Sequence, residues 1–143
     1  MNTTLITPFM SIALGATILS VVTIAFGGTF LLRVFTGVQE VNDLQKSFFR
    51  AGHAHAGVLV MLGVLLGVLG NAAGASPGWA NGGAIAVLVA AILMPLGFFL
   101  SVLGRDPQRP NQMIASVWLG ATLLVGGLLV SGIATLVAGI DRF

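Results

Sequence analysis

The chain has 143 residues, of which 57% are hydrophobic and 7% charged, and its mean hydropathy is +1.05. Soluble domains carry about 25% charged residues, and six basic plus four acidic side chains cannot cover a water-facing surface, so a soluble fold is excluded. Cysteine is absent, which excludes disulfides, thiolate metal sites and a cysteine nucleophile; the net charge of +2 is loop bias rather than a nucleic-acid footprint.

A crossing needs about 20 apolar residues, and the chain offers four, in an all-α bundle with short loops. The first span is expected over residues 9–34, opened by Pro8 and with Arg33 marking its far interface. No Lys or Arg precedes Arg33, and this apolar run is longer than a signal h-region, so a cleavable signal is not expected. In the connector that follows, Val38, Val41, Leu44 and Phe48 recur at three- and four-residue steps among Gln39, Glu40, Asn42, Asp43 and Lys46. That stripe predicts a short amphipathic helix over 38–49 lying on the membrane surface.

The second span is expected over 52–71, ended by a turn containing Gly74, Pro77 and Gly78, with Trp79 as an interfacial anchor. The third, over 82–103, contains Pro95, which should kink it. A polar loop at 104–111 leads to the fourth span over 112–140. Arg33, Lys46 and Arg50 flank the first connector, and Arg105 and Arg109 lie in the third, whereas the opposite side has only Arg142. By the positive-inside rule this implies a bacterial-type inner membrane protein with both basic connectors cytoplasmic and both termini outside. Glycines inside the spans, among them Gly63, Gly67, Gly120 and Gly127, mark close helix packing, with Ser131, Thr135 and Gly139 continuing the fourth-span stripe. Asn71, Asn81, Ser101 and Asn111 suit caps and turns.

His53 and His55 are the only histidines, and they fall where the polar connector gives way to the second span. Imidazoles at the lip of a transmembrane helix are costly unless they bind, relay or coordinate something. Two positions apart, they point about 200° from one another, so one helix cannot turn both onto one metal. His53 shares a face with Gly57, Val60, Val64, Gly67 and Asn71, the small helix-packing face. His55 shares a face with Leu59, Leu62, Leu66 and Leu69, a bulky face expected to meet lipid, another protomer or a flat apolar cofactor. A helix N-terminus at this point would disfavour imidazolium, as a metal ligand requires. Haem needs an axial ligand in the apolar zone and cations for its propionates at the interface. His55 with Arg50, Lys46, Arg105 and Arg109, and His53 nearby, supplies both. The same residues also suit interfacial histidines bonded to loop carbonyls, another metal, or a proton relay. Glu40, Asp43, Asp106 and Asp141 all lie in loops or at the end, which argues against a carboxylate di-iron bundle and a proton-coupled transporter relay.

The stretch Arg50-Ala51, then Ala54-His55-Ala56-Gly57, opening the second of four spans, resembles the styrene oxide isomerases, with their Arg-Ala-His-Ser-Gly stretch at that place. It is also similar in layout to the hydroxylaminobenzene mutases. The resemblance implies haem b ligated by His55 between protomers of a trimer, and a ferric iron acting as Lewis acid on an epoxide or hydroxylamine. Gly52-His53-Ala54 intervenes in the pattern here, and Met61 stands where the isomerases have an asparagine near the substrate. The rival expectations are an accessory or assembly subunit of a larger membrane complex, and a small channel or transporter. The latter would have to use the scattered Ser20, Thr23, Thr122 and Ser131 as a polar path.

Overall fold

A computed structural model describes residues 6–142. They form four helices: α1 (Pro8–Phe35), α2 (Asp43–Ala72), α3 (Pro77–Ser101) and α4 (Ala115–Ile140), with a single 3₁₀ turn (Gln112–Ile114) leading into α4. No strand occurs among the described residues. All four helices are long and apolar enough to cross a membrane. Thr7 caps α1, its side chain accepting from the Met10 N–H at 3.3 Å, and Pro8 sits in the first turn, where a missing N–H costs nothing.

The largest departure from expectation is the start of α2. No separate surface helix exists over 38–49; residues 43–49 are the first two turns of a continuous 30-residue helix. At about 1.5 Å per residue it is about 45 Å long, against about 30 Å of hydrocarbon. A capping box fixes its start: the Asn42 side chain accepts from the Gln45 N–H at 2.9 Å, and Gln45 Oε1 accepts from the Asn42 N–H at 3.2 Å. Apart from Val38, which is exposed, the apolar stripe found protein instead of bilayer. Val41, Leu44 and Phe48 pack with Leu31, Val34, Phe49 and Val102. Gln45 and Asn42 also reach the α3–α4 loop. Gln45 Nε2 donates to the Val102 and Gly104 carbonyls, and Asn42 Nδ2 to Asp106 Oδ1 and the Pro107 carbonyl, the last two at 2.8 Å. The two basic connectors are thus bonded together at one end of the bundle.

α3 is the centre of the bundle, packed between α2 and α4, and it runs through Pro95 as one helix. Its contacts are close because glycines face it. A Cβ on Gly63 would lie 2.5 Å from Leu88 Cδ2, and one on Gly52 would lie 2.8 Å from the Phe99 ring. Against α4 the approach is backbone to backbone: a Cβ on Gly127 would lie 2.7 Å from the Gly83 carbonyl oxygen. Gly120 and the buried Ser131 continue this contact, but Thr135 is exposed and nothing adjoins Gly139, so the expected stripe ends a turn early. Ser116 Oγ adds a bond across the helices to the Leu93 carbonyl, 2.8 Å.

At the other end, Asn71 and Asn81 do more than cap. Buried Asn71 donates to the Gly67 carbonyl at 2.7 Å and to Asn81 Oδ1 at 3.0 Å, and Asn81 Nδ2 donates to Thr7 Oγ1 at 3.2 Å. This chain ties α1, α2 and α3 together. Arg142 closes the same end by donating to the Ala73 carbonyl beyond α2, a favourable place for a cation. Gly74 follows at φ +67°, the left-handed conformation for which glycine is suited.

Candidate functional site

The extension of α2 moves the histidines away from its N-terminus. They lie about three turns inside the helix, where the field of the helix end, confined to the first turn, no longer acts. They remain at the edge of the apolar zone, since the distance from His53 to Ala72 along the helix is close to the hydrocarbon thickness.

The two imidazoles diverge, as their spacing requires. His53 is half-buried against α1, where its ring lies over Gly27 and Gly28. A Cβ on Gly28 would be 3.7 Å from both Cε1 and Nε2 of the ring. Neither ring nitrogen of His53 has a hydrogen-bond partner among the described residues. His55 is half-buried on the opposite margin of α2, beside α3. Its ring stands 5.1 Å from that of Phe98, tilted by 38°. Its Nδ1 is 2.7 Å from the Ala51 carbonyl oxygen one turn back. A carbonyl can only accept, so Nδ1 carries the hydrogen, and in the neutral ring the Nε2 lone pair is free.

The expectation that His55 shares a lipid-facing leucine face is corrected here. Leu59 is buried in a cluster with Ala90, Ala91 and Met94, and Leu62 and Leu66 are half-buried, so that of the four leucines only Leu69 is exposed. The outward face of α2 runs instead through Ala54, Val58, Met61 and Leu65, with Met61 73% exposed. The histidines flank this face, one on each side, and Ala51, Ala54 and Gly57 between them leave its surface flat.

The cations divide between these margins unevenly. Lys46 and Arg50 recur with His53 at helical spacing and lie on the α1 side. Arg50 sits over the Phe35 ring, 5.4 Å from its centroid, and Lys46 Nζ is 3.4 Å from Asp43 Oδ1. Arg105 of the α3–α4 loop lines a shallow groove with Gln39, Glu40 and Asn42 of the α1–α2 connector, and Arg109 is exposed on the α3–α4 loop. Arg50 and Lys46 are therefore grouped with His53, not with His55. Among the described residues no three His, Cys, Asp or Glu side chains converge as a metal site. Iron carried in a porphyrin differs in needing only one or two protein ligands.

Sequence reasoning singled out His55 but missed the two groups that fix it. The Ala51 carbonyl was discoverable, being one helical turn back. Phe98 was not, because no local pattern aligns α3 with α2 in register. Gly27 and Gly28 as the seat of His53 were equally hidden. No family model, curated protein or solved structure matches this chain.

Proposed function

We propose that this chain is a small haem b-binding membrane protein in which His55 would hold the iron, and that it rearranges small apolar substrates. The observation that carries this reading is the His55 ring itself. Its Nδ1 is committed to the Ala51 carbonyl at 2.7 Å, which fixes tautomer and orientation and leaves Nε2 free. Metal-ligating histidines are commonly oriented in this way, by donating the other ring N–H to a carbonyl. Phe98 supplies an apolar wall, and with Arg50 and Lys46 on the His53 margin, Arg105 and Arg109 are the cations of the basic end left for propionates. His53, turned toward Gly27 and Gly28 of α1, would not hold the same group.

When bound, ferric haem supplies Lewis acidity to a substrate oxygen, as opening an epoxide or rearranging a hydroxylamine requires. The chain's own part is to hold the ring nitrogen, keep the site apolar and exclude water. The flat strip of Ala51, Ala54 and Gly57 between the histidines suits a second copy of the chain, in keeping with a homo-oligomer, a trimer by the resemblance. The basic end faces the cytoplasm on this reading.

The test is to load the detergent-purified protein with haemin and assay an aryl epoxide and an aryl hydroxylamine. Aldehyde or aminophenol formation that depends on haem is expected. Haem retention with neither product would retract the isomerase reading, and failure to retain haem would retract the whole proposal.

A further inference from the structure

The seam between α1 and α2 is built differently from the glycine-closed contacts around α3. α1 is held mainly toward its two ends, by Met10 and Leu14 near Gly67 and by Leu31 and Val34 beside Phe49, with Ile24 packing on the core between them. Two clefts open along this seam. At the basic end, Val34, Phe35 and Val41 with Lys46 and Arg50 line a groove of about 460 Å³. Nearer the middle of the bundle, Ile18 and Val21 of α1 and Val58, Met61 and Leu65 of α2 line a cleft that is almost wholly apolar. Between the two, the α1 wall is Gly27 and Gly28, which have no side chains, and His53 rests there.

We infer that this seam binds one anionic phospholipid of the bilayer, with its phosphate at Lys46 and Arg50 and an acyl chain along Ile18, Val21 and Val58. The charge at the mouth selects the headgroup. Two cations converge there, and Arg50 is already held in place by the Phe35 ring. The apolar cleft requires a tail, since a bare phosphate would leave it unfilled. Glu40 lines the same mouth, and Asp43 holds Lys46 at 3.4 Å; both carboxylates oppose a phosphate. The site uses the His53 margin of α2 and is independent of the haem reading at His55.

The test is native mass spectrometry of the full chain in detergent, titrated with phosphatidylglycerol and, separately, phosphatidylcholine. One phosphatidylglycerol should be retained in preference. At about 1 kcal/mol per surface cation, the Lys46→Gln/Arg50→Gln double variant should bind it about 25-fold more weakly. Glu40→Gln should bind it more tightly, and Val58→Trp, which fills the lower cleft without changing charge, more weakly. Arg105→Gln/Arg109→Gln removes the same charge from the other loop at that end and should leave binding unchanged. An equal loss in that control variant would mean a diffuse field rather than a site. Equal retention of phosphatidylcholine, or displacement by inorganic phosphate, would also overturn the inference.

Discussion

His55 and Asn71 are both half-polar intrusions into an apolar helix, and their partners differ in kind. His55 satisfies one nitrogen with its own helix and leaves the other open, whereas Asn71 spends its amide on Gly67 and Asn81. A ring fixed through one nitrogen with the other left open points to a ligand, and a closed network points to stability. Asn71→Ala should therefore lower stability by about 1 kcal/mol, the usual size of a hydrogen bond between transmembrane helices, seen as a lower Tm in detergent, while leaving any haem spectrum intact. Loss of haem with unchanged Tm would reverse these assignments. His55 and the positions of the cations were legible in the sequence, because rare polar residues stand out in an apolar chain. The Thr7–Asn81–Asn71 chain was not, because its members are far apart in sequence and each alone resembles a cap. The division of cations from His55 was also hidden, since the positive-inside pattern fixes an end of the bundle but not a side of a helix.

At the scale of elements, the four spans follow from hydropathy alone, and their close packing follows from glycine. The start of α2 did not follow. An amphipathic stripe over 38–49 has the same spacing whether it rests on lipid or on a loop, and here Phe48, Phe49 and Leu44 rest on protein. Spin labels at Ser47 and Leu65 should report a backbone separation of about 27 Å for a straight helix rising about 1.5 Å per residue. A surface helix turned through a right angle at Gly52 would shorten that to about 21 Å by the same rise. The α3–α4 contact makes a second prediction. Gly127→Val would drive a side chain into the Gly83 carbonyl and Val87, which should cost about 1–3 kcal/mol by overpacking. Gly132→Val, on the open side of the same helix, should be tolerated, as nothing lies within 4 Å of that site. Equal melting temperatures for the two variants would count against this packing.

As a whole the molecule has two unlike ends. One is basic, and there the α2 cap is bonded to the α3–α4 loop through Asn42, Gln45 and Asp106. The other is joined by the asparagine chain and by Arg142. The absence of cysteine makes the orientation directly measurable. A single cysteine at Gln108 should react with a membrane-impermeant thiol reagent only from the cytoplasmic side, and one at Ser76 only from the other. The opposite pattern would place the histidines at the outer face. Between these ends, the proposed haem site turns on one nitrogen atom, His55 Nε2. The most direct test is the visible absorption spectrum of haem-loaded wild type, His53→Ala and His55→Ala, each oxidised and reduced, with imidazole then added. Haem held through His55 should give a Soret band in wild type and His53→Ala, its loss in His55→Ala, and its return there with imidazole. A band that survives in His55→Ala but disappears in His53→Ala would contradict it, as would wild-type protein that stays colourless with haemin.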